Sequence, residues 1–193
     1  MLDQTPLQLN DDFKYALDAL EKTDRSIFIT GKAGTGKSTF LQLFRNTTRK
    51  KVAVLAPTGV AALNVQGQTL HSFFGFPPRI ITPSEASRRV TRKDLLRLYR
   101  NLEVLIVDEI SMVRADMLDG IDRFLRVNRE NFQPFGGVQV VFFGDLFQLP
   151  PVVTRDPVES SYFTDYYESP YFFSSKIFQD ADFDLDMLEL RKV

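Results

Sequence analysis

The residues Gly31-Lys32-Ala33-Gly34-Thr35-Gly36-Lys37-Ser38-Thr39 fit the spacing G-x-x-x-x-G-K-[ST], a pattern whose chemistry is phosphate binding. Glycines at Gly31, Gly34 and Gly36 let backbone N–H groups turn inward as an anion nest, with Ala33, Thr35 and Thr39 completing the loop. The N-terminus of a following helix adds roughly half a positive charge. Lys37 brings a mobile cation to the β- and γ-phosphates of a nucleotide such as ATP, and Ser38 offers a hydroxyl to Mg²⁺. The plain alternative is a glycine-rich strand-to-helix turn with a surface lysine.

Two further segments place acids after apolar runs: Val107-Asp108-Glu109-Ile110-Ser111 and Phe143-Gly144-Asp145-Leu146-Phe147-Gln148-Leu149-Pro150-Pro151. An Asp ending a buried strand can hold Mg²⁺, usually through water, while the ion bridges phosphates, and Asp108 suits that role. Glu109 can orient and deprotonate the water that attacks the γ-phosphorus. Gln148 has both donor and acceptor, so it can sense the γ-phosphate or the attacking water. An Asp-Glu pair alone also fits a solvated turn. The phosphate loop upstream and the second acidic strand end downstream favour catalysis by Lys37, Asp108, Glu109 and Gln148, with Ser38 and Asp108 on the metal.

Positioning these groups requires a sheet. Short apolar runs at residues 26–30, 51–56, 103–107, 138–143 and 186–190 read as strands. Near-continuous apolar strands separated by helical stretches predict an α/β fold with a parallel sheet covered by helices on both faces, the P-loop NTPase class. In such sheets ligands lie beyond the carboxyl ends of the strands, where the three motifs converge. Helices are expected at residues 11–20, capped by Asn10, and at 39–44, with a core-facing helix carrying Met117, Leu118, Ile121, Phe124 and Leu125. A short helix is expected near 174–180, and residues 162–173, rich in Tyr and Phe, read as irregular and locally packed.

With 193 residues, 44% hydrophobic and 25% charged, the chain suits one ordinary globular domain over 1–193, its first 24 residues an N-terminal helix region. No apolar stretch is long enough for a bilayer, so no membrane partner is expected, and the start lacks a secretory pattern. The absence of cysteine excludes disulfides and thiolate metal sites, which suits an intracellular location, cytoplasmic if bacterial. A net charge of −1 does not mark a nucleic-acid binder. Seven basic residues between Arg79 and Arg100 (Arg79, Arg88, Arg89, Arg92, Lys93, Arg97 and Arg100) read first as a solvated helix face.

Taken together, GKAGTGKST at 31–39, APTGVAALNVQGQTLHSFF at 56–74, VDEISM at 107–112 and GDLFQLPPV at 144–152 resemble the petite-integration-frequency (Pif-one) helicases of superfamily one. The stretch 115–137, ending NFQPFGG, is similar to that family's signature helix and loop. The resemblance implies a RecA-like ATP-binding domain of a motor that hydrolyses ATP, translocates 5′ to 3′ on single-stranded DNA as a monomer, and serves DNA repair and telomere maintenance. It implies a DNA track along Thr58, Gly59, His71, Ser72 and Phe73, where amides and hydroxyls hold phosphates and His71 or a phenylalanine stacks on bases. From residue type alone His71 can equally be an incidental polar residue, and Phe73 and Phe74 can equally be core.

The family's adenine-reading glutamine has no clear counterpart in Leu9-Asn10-Asp11-Asp12-Phe13, although Gln8 lies close by. The family also continues into a second RecA-like domain that supplies arginine fingers, worth about 10³–10⁵ in rate in related sites. This chain stops at Arg191-Lys192-Val193, so the expectation is weak nucleotide binding, very slow hydrolysis and no unwinding by this part alone. A P-loop kinase for a small molecule, or a non-hydrolysing interaction module on an ATPase-like fold, are the alternatives.

Overall fold

The computed structural model describes residues 11–153 and 156–190; Gln8, Asn10 and the last three residues lie outside them. In chain order the elements are α1 (Asp11–Lys22), β1 (Ser26–Thr30), α2 (Lys37–Thr47), β2 (Val52–Ala56), α3 (Gly59–Asn64), β3 (Gln68–Thr69) and α4 (Leu70–Phe74). There follow α5 (Pro83–Ala86), α6 (Lys93–Asn101), β4 (Val104–Val107), α7 (Ala115–Arg129), β5 (Gln139–Gly144), α8 (Pro157–Tyr166) and β6 (Leu185–Glu189). Short 3₁₀ turns at Ile110–Met112, Pro134–Gly137, Phe172–Ser174 and Lys176–Gln179 join them.

The six strands form one sheet in the order β3-β2-β4-β5-β1-β6, and every pairing is parallel. The expected fold class is therefore present, with strand limits shifted by one residue at four of the five expected strands. Each central strand is apolar because both its faces are covered. Ile27, Ile29, Val104, Ile106, Val141 and Phe143 face α1 and α2, meeting Phe13, Leu20, Phe40 and Phe44. Phe28, Leu105, Val140 and Phe142 point the other way, onto Leu118, Ile121, Phe124 and Leu125 of α7.

Two expectations need correction. The aromatic-rich segment is not irregular throughout, because α8 runs through Tyr166, with the rings of Tyr162 and Tyr166 tilted against each other at 4.8 Å. The helix expected near 174–180 is a single 3₁₀ turn, Lys176–Gln179. The basic segment behaves as a solvated face: Tyr99 alone of α6 is buried, Arg79 pairs with Glu85 at 2.6 Å, and Arg92 pairs with Asp94 at 2.5 Å.

Candidate nucleotide site and nucleic-acid face

Strand order places the chemistry. β5 lies between β1 and β4, with Thr30 beside Gly144 and Val107 beside Phe142. The phosphate loop, the Asp108-Glu109 pair and the Asp145–Gln148 turn therefore leave three adjacent parallel strands at the same end.

The loop from Gly31 to Gly36 runs from the last residue of β1 into the first turn of α2. Gly31 and Thr35 are buried while Ala33, Gly34, Ser38 and Thr39 are exposed, so the loop has an anchored base and an open rim. Thr35 holds the base closed, its hydroxyl donating to the Lys32 carbonyl at 2.9 Å. Gly36 caps α2 at φ 91°, ψ 12°, a left-handed conformation open mainly to glycine, and a Cβ there would also come within 3.0 Å of the Phe13 ring. Lys37 donates from Nζ to the Gly31 carbonyl and, at 3.2 Å, to the Lys32 carbonyl. Its ammonium is thus held over the loop, and its hydrogen bonds to neutral carbonyls leave its charge available to an anion.

Asp108 follows β4, its backbone N–H donating to Leu55 at 2.8 Å. Burial, then the neighbouring Glu109 charge, push its carboxyl up to about 6, against the opposing pull of the Glu109 backbone N–H and the Lys37 charge. A carboxylate so desolvated would be favoured in its charged form by a nearby cation. The Ser38 hydroxyl is exposed and makes no hydrogen bond among the described residues. Ser38 and Asp108 thus suit a hard, oxygen-loving divalent cation that completes its shell with water and phosphate. Glu109 sits at φ 51°, ψ 46°, a strained position for a non-glycine residue, and caps the following 3₁₀ turn two residues after β4 ends.

Gln148 is exposed and fixed by a turn hung on Asp145. Its backbone N–H donates to the Asp145 carbonyl at 3.0 Å, its Nε2 reaches Asp145 Oδ2 at 3.2 Å, and the Phe147 N–H donates to Oδ1 at 3.0 Å. Asp145 has no role of its own by residue type; an Asp three residues ahead of Gln148 is the turn signal that identifies it. Ser111 was likewise unassigned. Its buried hydroxyl has no partner among the described residues, and its backbone nitrogen would lie 3.4 Å from a Cβ on Gly144.

The expected DNA residues sit at the same end of the sheet, on the β2–β3 edge that begins one strand beyond Asp108. Thr58 caps α3, its Oγ1 accepting from the Ala61 N–H at 3.2 Å, and Gly59 opens that helix exposed. Ser72 is exposed on α4, and its backbone N–H donates to Thr69 Oγ1 at 3.2 Å. His71 is half-buried; burial and the Arg114 charge lower its pKa, so the ring is neutral at ordinary pH and suited to stacking rather than to ion pairing. Phe73 is only half available, since its ring packs edge-on against Phe74 at 5.0 Å and Tyr99 at 5.5 Å. Phe74 is fully buried, so of the pair it is core.

Residues 8–175 match the family model described as PIF1-like helicase. The chain belongs to the PIF1-like helicase family. It is 39% identical over 158 residues to the ATP-dependent DNA helicase RRM3 of Saccharomyces cerevisiae, covering 79% of this chain and 22% of that protein. It is 44% identical over 144 residues to the ATP-dependent DNA helicase PIF1 of the same species, covering 72% of this chain and 17% of the relative. The solved Pif1 helicase from Bacteroides in complex with ADP-AlF3 and ssDNA superposes with a TM-score of 0.87 at 42% identity, over 96% of this chain and 42% of that one. The chain thus spans about a fifth of the length of these curated relatives, and the fold it shares with Pif1 is the RecA-like one.

Proposed function

We propose that this chain is the ATP-binding motor domain of a DNA helicase that hydrolyses ATP to move 5′ to 3′ along single-stranded DNA, as a monomer and inside the cell. The observation that carries the reading is the placement of β5 between β1 and β4, which gathers Lys37, Asp108, Glu109 and Gln148 at one sheet end. The relatives' names and the ssDNA held by the Bacteroides protein support the substrate.

In this reading the loop amides of residues 31–39 and Lys37 bind the phosphates, with Lys37 exchanging its carbonyl partners for the γ-phosphate. Ser38 and Asp108 hold Mg²⁺, which when bound neutralises phosphate charge. Glu109 takes a proton from the attacking water, and Gln148, fixed by Asp145, reports the γ-phosphate. Thr58, Gly59, His71, Ser72 and Phe73 form the track for the strand. A second RecA-like domain, as the matched Bacteroides chain has room for, supplies the arginines that complete hydrolysis.

Titration with a fluorescent ATP analogue tests the site. Lys37→Ala is expected to weaken binding by about tenfold or more, while Glu109→Gln binds as the parent does. Unchanged affinity in Lys37→Ala contradicts the reading, and phosphate transfer to an acceptor other than water turns it into a kinase.

A further inference from the structure

At the opposite, amino end of the sheet, β2 has an open edge. β3 pairs only with Leu55 and Ala56, because the chain reaches it through Gln66 and Gly67 and has no residues beside the start of β2. The Lys51 and Leu55 carbonyls accept from the β4 side, from Val104 at 3.1 Å and Asp108 at 2.8 Å. By the alternation of a strand, Val52 therefore directs its N–H and C=O outward, and neither has a partner among the described residues.

That edge floors a cavity of about 450 Å³. Phe73, which also borders the proposed DNA track, makes one apolar wall with Leu98 and Leu102, and Arg45 lines the cavity too, held by the carbonyls of Val65 at 2.9 Å and Gln66 at 3.0 Å. Lys51 is exposed at the rim, and no carboxylate lines the cavity. Neither the Arg45 nor the Lys51 side chain is in an ion pair among the described residues, while the Glu103 carboxylate accepts from the Lys51 backbone N–H at 2.8 Å on the β4 side. Past Phe73 and Leu98 the groove opens into a second one whose charged lining, Arg88, Arg89 and Arg92, is also wholly basic.

We propose that this groove is a docking site for an extended acidic segment of a partner protein, added as a short strand beside Val52 in line with β3. Backbone pairing supplies the affinity, the apolar wall takes every second side chain, and carboxylates meet Arg45 and Lys51. The unpaired backbone edge favours a polypeptide over a nucleic acid, whose phosphates have no use for a strand's alternating donor and acceptor. This surface lies away from the nucleotide site and stands whether or not that site hydrolyses ATP.

The probe is a fluorescein-labelled peptide of alternating Glu and Val, titrated by anisotropy against the full 193-residue chain. Saturable binding is expected, weakened by about tenfold or more in Val52→Pro and in Lys51→Glu, with binding of the ATP analogue unchanged in both. Proline at this position removes the outward N–H together with the packing of Val52 on the core, so Lys51→Glu, at an exposed side chain, carries the test if the proline variant fails to fold. The proposal is overturned if the peptide does not saturate at millimolar concentration or if a backbone N-methylated version binds equally well. It is equally overturned if an alternating Lys and Val peptide binds as tightly.

Discussion

At the scale of single residues, Asp108 shows how the site balances charge. Its carboxyl is pushed up to about 6, so the native state favours the protonated form. The sign follows from linkage: the native advantage is full below the ordinary value of 3.8 and is lost as pH rises through about 6. Asp108→Asn should therefore raise thermal stability well above pH 6, by on the order of 2 kcal/mol, and leave it unchanged near pH 3.5. Melting curves across pH check this, and a variant equally stable to the parent at every pH counts against a desolvated acid here. That Lys37, Ser38, Asp108 and Glu109 lie at one end of the sheet was legible, because apolar runs ahead of each motif mark parallel strands. The seat of Gln148 on Asp145, and the hold of Gly31 and Lys32 on Lys37, arise from a folded loop and were not.

At the scale of elements, α7 and the turn after it brace the sheet from the face opposite the phosphate-loop helix. Asp122 accepts from Arg126 at 2.8 Å and from the Phe135 N–H at 2.6 Å, while Arg129 holds the carbonyls of Gly136, Tyr99, Arg100 and Leu102. Gly136 has φ 63°, and a Cβ there would meet the Leu125 carbonyl oxygen at 2.8 Å. Gly136→Ala should cost about 1–3 kcal/mol in chemical denaturation, and an unchanged midpoint would show that the turn does not brace α7. The apolar stripe of α7 and the runs of β4 and β5 were legible because those elements are buried on one face or two. β3 was not, since Gln68-Thr69 is polar and only two residues long, and α8 was not, since PVESSYFTDY carries no apolar stripe at helical spacing.

At the scale of the whole molecule, one sheet carries both sites at the carboxyl ends of its strands. In the proposed reading the nucleotide would lie over β1, β5 and β4 and the strand over β2 and β3, so a shift of the β4 end would reach the proposed track through the adjacent β2. The parallel sheet was legible from the alternation of apolar runs and helical stretches. The proposed DNA track rests on the resemblance of residues 56–74 to a family, and a net charge of −1 gives no sign of it. The most direct test of the central claim is steady-state ATP hydrolysis by the protein carried through the full helicase length, with and without oligothymidylate, in the parent and in Glu109→Gln. Single-stranded DNA should stimulate the parent, and the Glu109→Gln variant should lose about 10²–10⁴-fold in rate while still binding nucleotide. Hydrolysis that ignores both the DNA and the loss of Glu109 would contradict the account.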